Sequence, residues 1–276
     1  MRLINTIAAL REYLLQAGTV AFVPTMGNLH EGHIDLVRQA RAHAGCVVVS
    51  IFVNPLQFGP SEDFDRYPRT LEADCAKLEG LADVVFAPAV SEMYAQRQTV
   101  FIEPPQIANE LCGAARPGHF RGMATVVLKL LNIVQPQVAL FGKKDYQQLH
   151  IIRQMVAQMN LPIRIVGGET VRAADGLALS SRNQYLSPAE RTEATFLWQT
   201  LSNLARELQE GLHDYAAAEA VAVAALAGRG WRVDYVAVRN RATLAVAGAN
   251  DRELVLLAAA HLGATRLIDN LEIDLP

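Results

Sequence analysis

The sequence predicts an α/β protein: a doubly wound parallel sheet over residues 1–175, followed by a smaller α+β unit over residues 176–276. Three observations predict it. Short β-branched runs alternate with helical patterns through the first 170 or so residues, the signature of strand–helix–strand crossovers. Runs such as V-V-V-S-I-F-V at 47–53 are almost continuously apolar, as strands buried on both faces must be. A polar stretch at 173–183, A-A-D-G-L-A-L-S-S-R-N, then marks a change to Ala-rich helical sequence and short strand-like runs.

Taken in order, strands are expected at Val20–Pro24, Cys46–Val53, Asp83–Ala87, Val138–Phe141 and Ile163–Val166. Their β-branched content fits a pleated surface, and each is bounded by Gly, Pro or polar residues. Helices are expected at His33–His43, Thr70–Leu78, Met123–Val134 and Tyr146–Met159, where apolar residues recur at helical spacing. Beyond residue 176, helices are expected at Pro188–Gln209 and Tyr215–Leu226, then strands at Val233–Val238, Glu253–Ala259 and Thr265–Ile268. Tyr235 and Trp231 are expected in the core of this smaller unit.

Composition excludes several classes. About half of the 276 residues are hydrophobic and a fifth charged, as in an ordinary globular enzyme. A net charge of −3 with scattered Lys and Arg gives no footprint for nucleic acid or a membrane surface. No stretch reaches the roughly 20 apolar residues that span a bilayer, and Arg11 and Glu12 interrupt any leader-like run. Cys46, Cys75 and Cys112 are odd in number and far apart, which fits small buried hydrophobes in a reducing, cytoplasmic setting.

Ligands of doubly wound sheets bind beyond the carboxyl ends of the strands. Polar clusters follow three of the expected strands there: His30 and His33 after the first, Asn54–Gln57 after the second, and Gly142–Asp145 after the fourth. The first is the richest. Residues 20–33 read V-A-F-V-P-T-M-G-N-L-H-E-G-H, two histidines beside Gly27 and Gly32 at a strand-to-helix turn. A helix N-terminus attracts anions, glycine lets a phosphate approach the backbone, and imidazole can donate to its oxygens. G-x-x-x-x-G-K-[ST] and G-x-G-x-x-G are both absent, and neither H-E-x-x-H spacing nor a third zinc ligand is evident. Nucleotide chemistry at a phosphorus atom is the expectation.

P-T-M-G-N-L-H-E-G-H resembles the His-x-Gly-His signature of the nucleotidylyltransferase superfamily, in the form used by pantothenate synthetases (pantoate–β-alanine ligases). S-I-F-V-N-P-L-Q-F-G at 50–59, R-P-G-H-F-R-G at 116–122, F-G-K-K-D-Y-Q-Q-L at 141–149, D-G-L-A-L-S-S-R-N at 175–183 and R-L-I-D-N at 266–270 resemble further motifs of that family, in the same order. The resemblance implies a Rossmann-like nucleotidylyltransferase fold and an ATP-dependent ligase making pantothenate through a pantoyl adenylate, with release of AMP and pyrophosphate. It implies ATP as substrate, pantoate and β-alanine as its partners, Mg²⁺ as metal and a homodimer as assembly.

Residue by residue, the resemblance implies that Met26, Gly27, Asn28, Leu29, His30, Glu31, Gly32 and His33 hold the nucleotide, His33 in the proton-donor role. It implies a nucleotide cradle at Gly142, Lys143, Lys144 and Asp145, with Lys144 on a phosphate, and an adenine contact from the backbone of Val171. Leu179, Ser180, Ser181 and Arg182 would clamp the triphosphate, Gln57 and Gln148 would bind pantoate, and Asp74 matches an acidic position near the metal. His30, His33, Lys144, Ser180, Ser181 and Arg182 form the expected catalytic set, as donors to the charge that builds up at phosphorus. One departure stands out: Lys143 replaces a usually acidic residue, and a solvent-facing loop end is its expected place. The polar segment 58–69 is expected to help gate the pocket against water.

Overall fold

The computed structural model describes residues 1–59, 62 and 64–276. Its first sheet is built from β1 (Arg2–Ile4), β2 (Val20–Thr25), β3 (Cys46–Ile51), β4 (Val84–Phe86), β5 (Val138–Gly142) and β6 (Arg164–Gly168), all parallel, in the order β1-β4-β3-β2-β5-β6. The five expected strands are present within a residue or two of their expected ends. Edge strand β1 and the helix after it, α1 (Ile7–Leu14), complete the sheet.

Strand periodicity assigns the two faces. Val20 and Phe22 of β2 point into one apolar layer, with Leu10 of α1, α6 (His119–Val134) and α7 (Tyr146–Gln158). Ala21 and Val23 point into the opposite layer, against α2 (Glu31–Arg41) and Leu78 of α3 (Leu71–Leu78). The connection from β2 to β3 therefore crosses one face and that from β5 to β6 the other, although β2 and β5 are neighbours. The strand order reverses between them, and that reversal opens a crevice at their carboxyl ends.

Two short helices, α4 (Val90–Met93) and α5 (Cys112–Ala115), lie in the connection to α6. α6 starts earlier than periodicity suggests, at His119, because Gly118 takes a left-handed conformation (φ 81°) and turns the chain into the helix.

The C-terminal region has its own core. Helices α8 (Pro188–Glu193), α9 (Thr195–Gln209) and α10 (Tyr215–Gly228) precede the antiparallel meander β7 (Arg232–Asn240), β8 (Glu253–Leu262) and β9 (Thr265–Asp274). Leu197, Leu201, Leu204 and Leu226 pack on Leu254, Leu256 and Trp231. The other face of the small sheet, with Ala237, Val255 and Leu257, packs on Leu111 and Tyr146 of the first region. Tyr235 departs from expectation: a bulge between Val233 and Tyr235 lies in β7, and Tyr235 lines the cleft between the two sheets.

Candidate active site

A cleft of about 980 Å³ lies where the exits of β2 and β5 face the C-terminal region. Of the expected site residues, Met26, His30, Gly32, His33, Gln57, Gly142, Lys144, Asp145, Gln148, Val171, Leu179, Ser180, Ser181 and Arg182 line it. The others do not, and each has a physical reason.

The loop after β2 is shaped by left-handed backbone at Gly27 (φ 82°) and Asn28 (φ 50°). Thr25 Oγ1 accepts from Gly27 N at 3.1 Å and donates to the Ser50 carbonyl at 2.7 Å, fixing the loop to β3. Leu29 is buried in the core, and Glu31 is exposed and pairs with Arg38. Asp74, which matches an acidic position near the metal, is fully buried. Its oxygens accept from Asn28 N and Leu29 N at 2.8 Å each, and Oδ2 also accepts from Thr70 Oγ1 at 3.1 Å. A carboxylate so engaged holds the loop in shape and has little left for a cation.

His30 is the N-cap of α2. Its Nδ1 accepts from Gly32 N at 3.2 Å, while Nδ1 of His33 accepts from His30 N at 3.3 Å. The rings stand 4.1 Å apart between centroids. An imidazole that accepts at Nδ1 carries its proton on Nε2, so this reciprocal cap leaves an Nε2–H donor on each ring. Burial, aided by the other ring and by Lys144, lowers the pKa of His30 to about 3; burial and Lys144 lower that of His33 to about 4. Both rings are neutral at pH 7.

At the exit of β3, the turn Pro55–Gln57 is capped by buried Asn54. Asn54 Oδ1 accepts from Tyr94 OH at 2.7 Å, and its Nδ2 donates to Gln57 Oε1 and to the Gly122 carbonyl at 3.2 Å each. With its oxygen so occupied, Gln57 turns its amide N–H₂ toward Met26, whose sulfur lies 3.0 Å away. A Cβ on Gly122 would stand 1.9 Å from the Leu56 carbonyl oxygen, so only glycine lets α6 pack this close to the turn. The half-buried ring of His119 adds a 2.8 Å bond to the Gln57 carbonyl. Sequence reasoning placed Asn54 only in a polar cluster at the sheet edge and left Tyr94 without a role; the Asn-Pro pair at 54–55, a turn signal, could have pointed to the capping role of the first.

At the exit of β5, Lys144 faces the cleft, whereas Lys143 turns away. Lys143 Nζ pairs with Glu169 at 2.6 Å and Glu272 at 2.8 Å, so it is neither a loop-end decoration nor a wall of the cleft. The opposite wall is the hairpin that brings Val171 beside Leu179 (Leu179 N to the Val171 carbonyl, 3.0 Å). Arg172 secures it with two bonds to Asp269, 2.7 and 2.8 Å, and stacks on Trp198. Ser180 caps the following turn, and Ser181 Oγ donates to the Asn28 carbonyl at 3.1 Å, tying this wall to the histidine loop.

Phe58, Glu62, Arg66 and Tyr67 of segment 58–69 line the mouth, where Arg116 pairs with Glu62 at 2.6 Å. Pro60, Ser61 and Asp63, on which the gating expectation also falls, lie outside the described residues. Among the described residues no three His, Cys, Asp or Glu side chains gather as a metal site, and no helix is long and apolar enough to cross a membrane.

Comparison with known proteins agrees with this geometry. The pantoate-beta-alanine ligase family model matches residues 2–272. The chain is 60% identical to the pantothenate synthetase of Chromobacterium violaceum over 275 residues, 99% of each chain, and 60% identical to that of Neisseria meningitidis serogroup A over the full length of both. The crystal structure of pantothenate synthetase from Thermus thermophilus superposes with a TM-score of 0.95 at 45% identity, covering all of both chains. That of the Francisella tularensis pantoate-beta-alanine ligase, complexed with beta-gamma ATP and beta-alanine, gives 0.84 at 34% identity, covering 98% of this chain and 97% of that one. A doubly wound sheet, a histidine pair at its switch point and full-length identity of this order lead to one conclusion: the chain belongs to the pantoate–β-alanine ligase family.

Proposed function

We propose that this cleft condenses pantoate with β-alanine at the expense of ATP, in two steps. A pantoate carboxylate oxygen bonds to the α-phosphorus as the bond from that phosphorus to the β-phosphate bridging oxygen breaks, giving pantoyl adenylate and pyrophosphate. The β-alanine nitrogen then bonds to the acyl carbon, the bond from that carbon to the phosphate oxygen breaks, and AMP leaves; the amine gives up its extra protons. A carboxylate is ionised at pH 7, so the first step asks for charge stabilisation rather than a base.

The reciprocal cap of His30 and His33 carries this reading. It presents two neutral N–H donors, held by backbone, beside the cation of Lys144. Neutral donors can follow charge as it grows on the phosphoryl oxygens without a proton having to move first. Lys144 and Arg182 balance the triphosphate charge, and Ser180 and Ser181 donate as hydroxyls. Met26, Gly32, Gly142, Asp145, Val171 and Leu179 shape the nucleotide's seat; Gly27, Asn28 and Leu29 act through the loop that Asp74 holds. Gln57, with its N–H₂ turned to the cleft, and Gln148 receive the pantoate oxygens.

Mg²⁺ belongs to the reading as a companion of the triphosphate, where it neutralises phosphate charge. The engaged carboxylate of Asp74 does not fit a ligand role, so no protein ligand is assigned. We take residues 1–175 as the nucleotide- and pantoate-binding unit and 176–276 as a lid, working as a homodimer in the cytoplasm.

The test is exchange of labelled pyrophosphate into ATP, with pantoate and Mg²⁺ present and β-alanine absent. Exchange that requires pantoate is expected. ATP binding without exchange, under any pantoate concentration, would reject the adenylate route.

A further inference from the structure

The turn after β5 carries Lys144 into the cleft, yet little of what fixes that turn is local. β9 grips it at four points. Asn270, buried in β9, donates from Nδ2 to the carbonyl oxygens of both Lys143 and Lys144, at 2.9 Å each. Two residues along, on the same side of the strand, Glu272 accepts from Lys143 Nζ at 2.8 Å through one oxygen and from Tyr146 OH at 2.6 Å through the other. Lys143 Nζ also pairs with Glu169, just beyond β6. Burial alone would lower the Lys143 pKa, but the two carboxylates hold it above the ordinary lysine value. Its charge is committed to this contact.

We infer that Lys143 and Glu272 are positioning residues for adenylate formation, a strut by which the last strand of the small sheet sets the height of Lys144 in the cleft. The inference rests on the adenylation reading above. Neighbouring residues of one turn cannot move independently: shifting Lys143 shifts the Lys144 carbonyl and side chain with it. The alternative, in which Lys143 itself meets a phosphate, would require it to leave both carboxylates.

The experiment is pyrophosphate–ATP exchange by the full-length protein, with ATP and pantoate each varied, alongside thermal melting. Lys143→Glu places three carboxylates together. It is expected to lower the exchange kcat about tenfold to a hundredfold, the scale of a misplacement of roughly 1 Å in an active site. KM for pantoate should rise no more than several-fold, because Gln57 is held from β3 and α6 and only Gln148, on α7 just beyond the turn, shares the disturbance. The double variant Lys143→Glu/Glu272→Lys rebuilds the pair with its charges reversed and should recover most of that loss. Glu272→Gln, which keeps an acceptor for Tyr146 and removes only the charge, should show a smaller loss and serves if Lys143→Glu fails to fold. A Lys143→Glu or Glu272→Gln protein at the wild-type rate would overturn the inference. So would a folded double variant no faster than Lys143→Glu, or a loss confined to KM for ATP. Wild-type exchange in the same series separates failure of the strut from failure of the adenylation reading.

Discussion

The two walls of the cleft are held by different means. The histidine wall is local: His30 and His33 cap each other across three residues, and backbone N–H groups fix both rings. The facing side is braced from afar by residues behind it: Arg172, which secures the hairpin of Val171 and Leu179, is fixed by Asp269, and Lys143, which holds the turn of Lys144, by Glu272, partners 97 and 129 residues away in sequence. One wall offers neutral donors and the other charged side chains whose positions depend on the small sheet. Local bonds set donor direction with little reliance on the rest of the chain. Charge placed by distant elements can instead move when those elements move, which suits a surface that must admit and release substrates.

Removing a donor from the local wall should do the most damage. His33→Ala is expected to slow pantoate-dependent pyrophosphate exchange by at least about 10²-fold, the usual cost of a lost transition-state donor. It also frees the His30 N–H from its acceptor. A near-normal rate would move the chemistry to the charged wall.

Asp74→Asn comes next. The two N–H groups bond to different carboxylate oxygens, one of which becomes an NH₂ donor in Asn, so one of Asn28 N and Leu29 N loses its partner, at a cost of about 1–3 kcal/mol in stability. Exchange should slow about tenfold as His30 loosens, while the Mg²⁺ concentration for half-maximal rate stays unchanged. A marked rise in that concentration would return Asp74 to the metal.

Gly122→Ala should act on the substrate side alone. The added methyl pushes α6 from the Leu56–Gln57 backbone, with an overpacking cost of about 1–3 kcal/mol. KM for pantoate should rise several-fold and KM for ATP hold steady; equal changes in both would mean that the walls are not separable.

The smallest effect concerns pH. Since His30 and His33 titrate near 3 and 4, activity limited by them should be flat from pH 6 to 8. Stability behaves otherwise. An unfolded histidine takes its proton near pH 6.5, while the folded rings resist it, so below that value the unfolded chain binds more protons. Their contribution is complete above pH 6.5 and is lost as pH falls toward 3–4, on the order of a few kcal/mol. Chemical denaturation at pH 7 and pH 5, compared between the wild type and His33→Ala, measures the share of His33 beside that of other half-buried histidines such as His119; an unchanged pH difference in the variant would mean that this ring is not held neutral.

How much of this was visible in the sequence follows the same division. The strands were, because runs like Val47–Val49 are buried on both faces and β-branched. Three-residue β1 was not, since Arg2, Leu3 and Ile4 carry too little pattern to separate from a tail. Motif residues such as His30, Ser181 and Gln57 fall on the cleft as expected. The loop-holding bonds of Asp74 were hidden because its partners, two backbone N–H groups of a loop 45 and 46 residues away, leave no mark on its own neighbourhood. Lys143 was misjudged for a similar reason: a lysine in a loop looks solvated until the strand carrying Glu272 is in place. Tyr235 escaped because a bulge offsets the alternation of β7, which periodicity cannot foresee.

The reciprocal cap also decides what the histidine pair cannot be. A proton relay needs a ring that gains a proton at one nitrogen as it gives one from the other, and here each Nδ1 is already occupied by a main-chain N–H. Neither imidazole can pass protons through the site while the loop keeps its shape. The protons shed as the amine becomes an amide must therefore leave by another route than this pair, which directs hydrogen bonds rather than relaying protons.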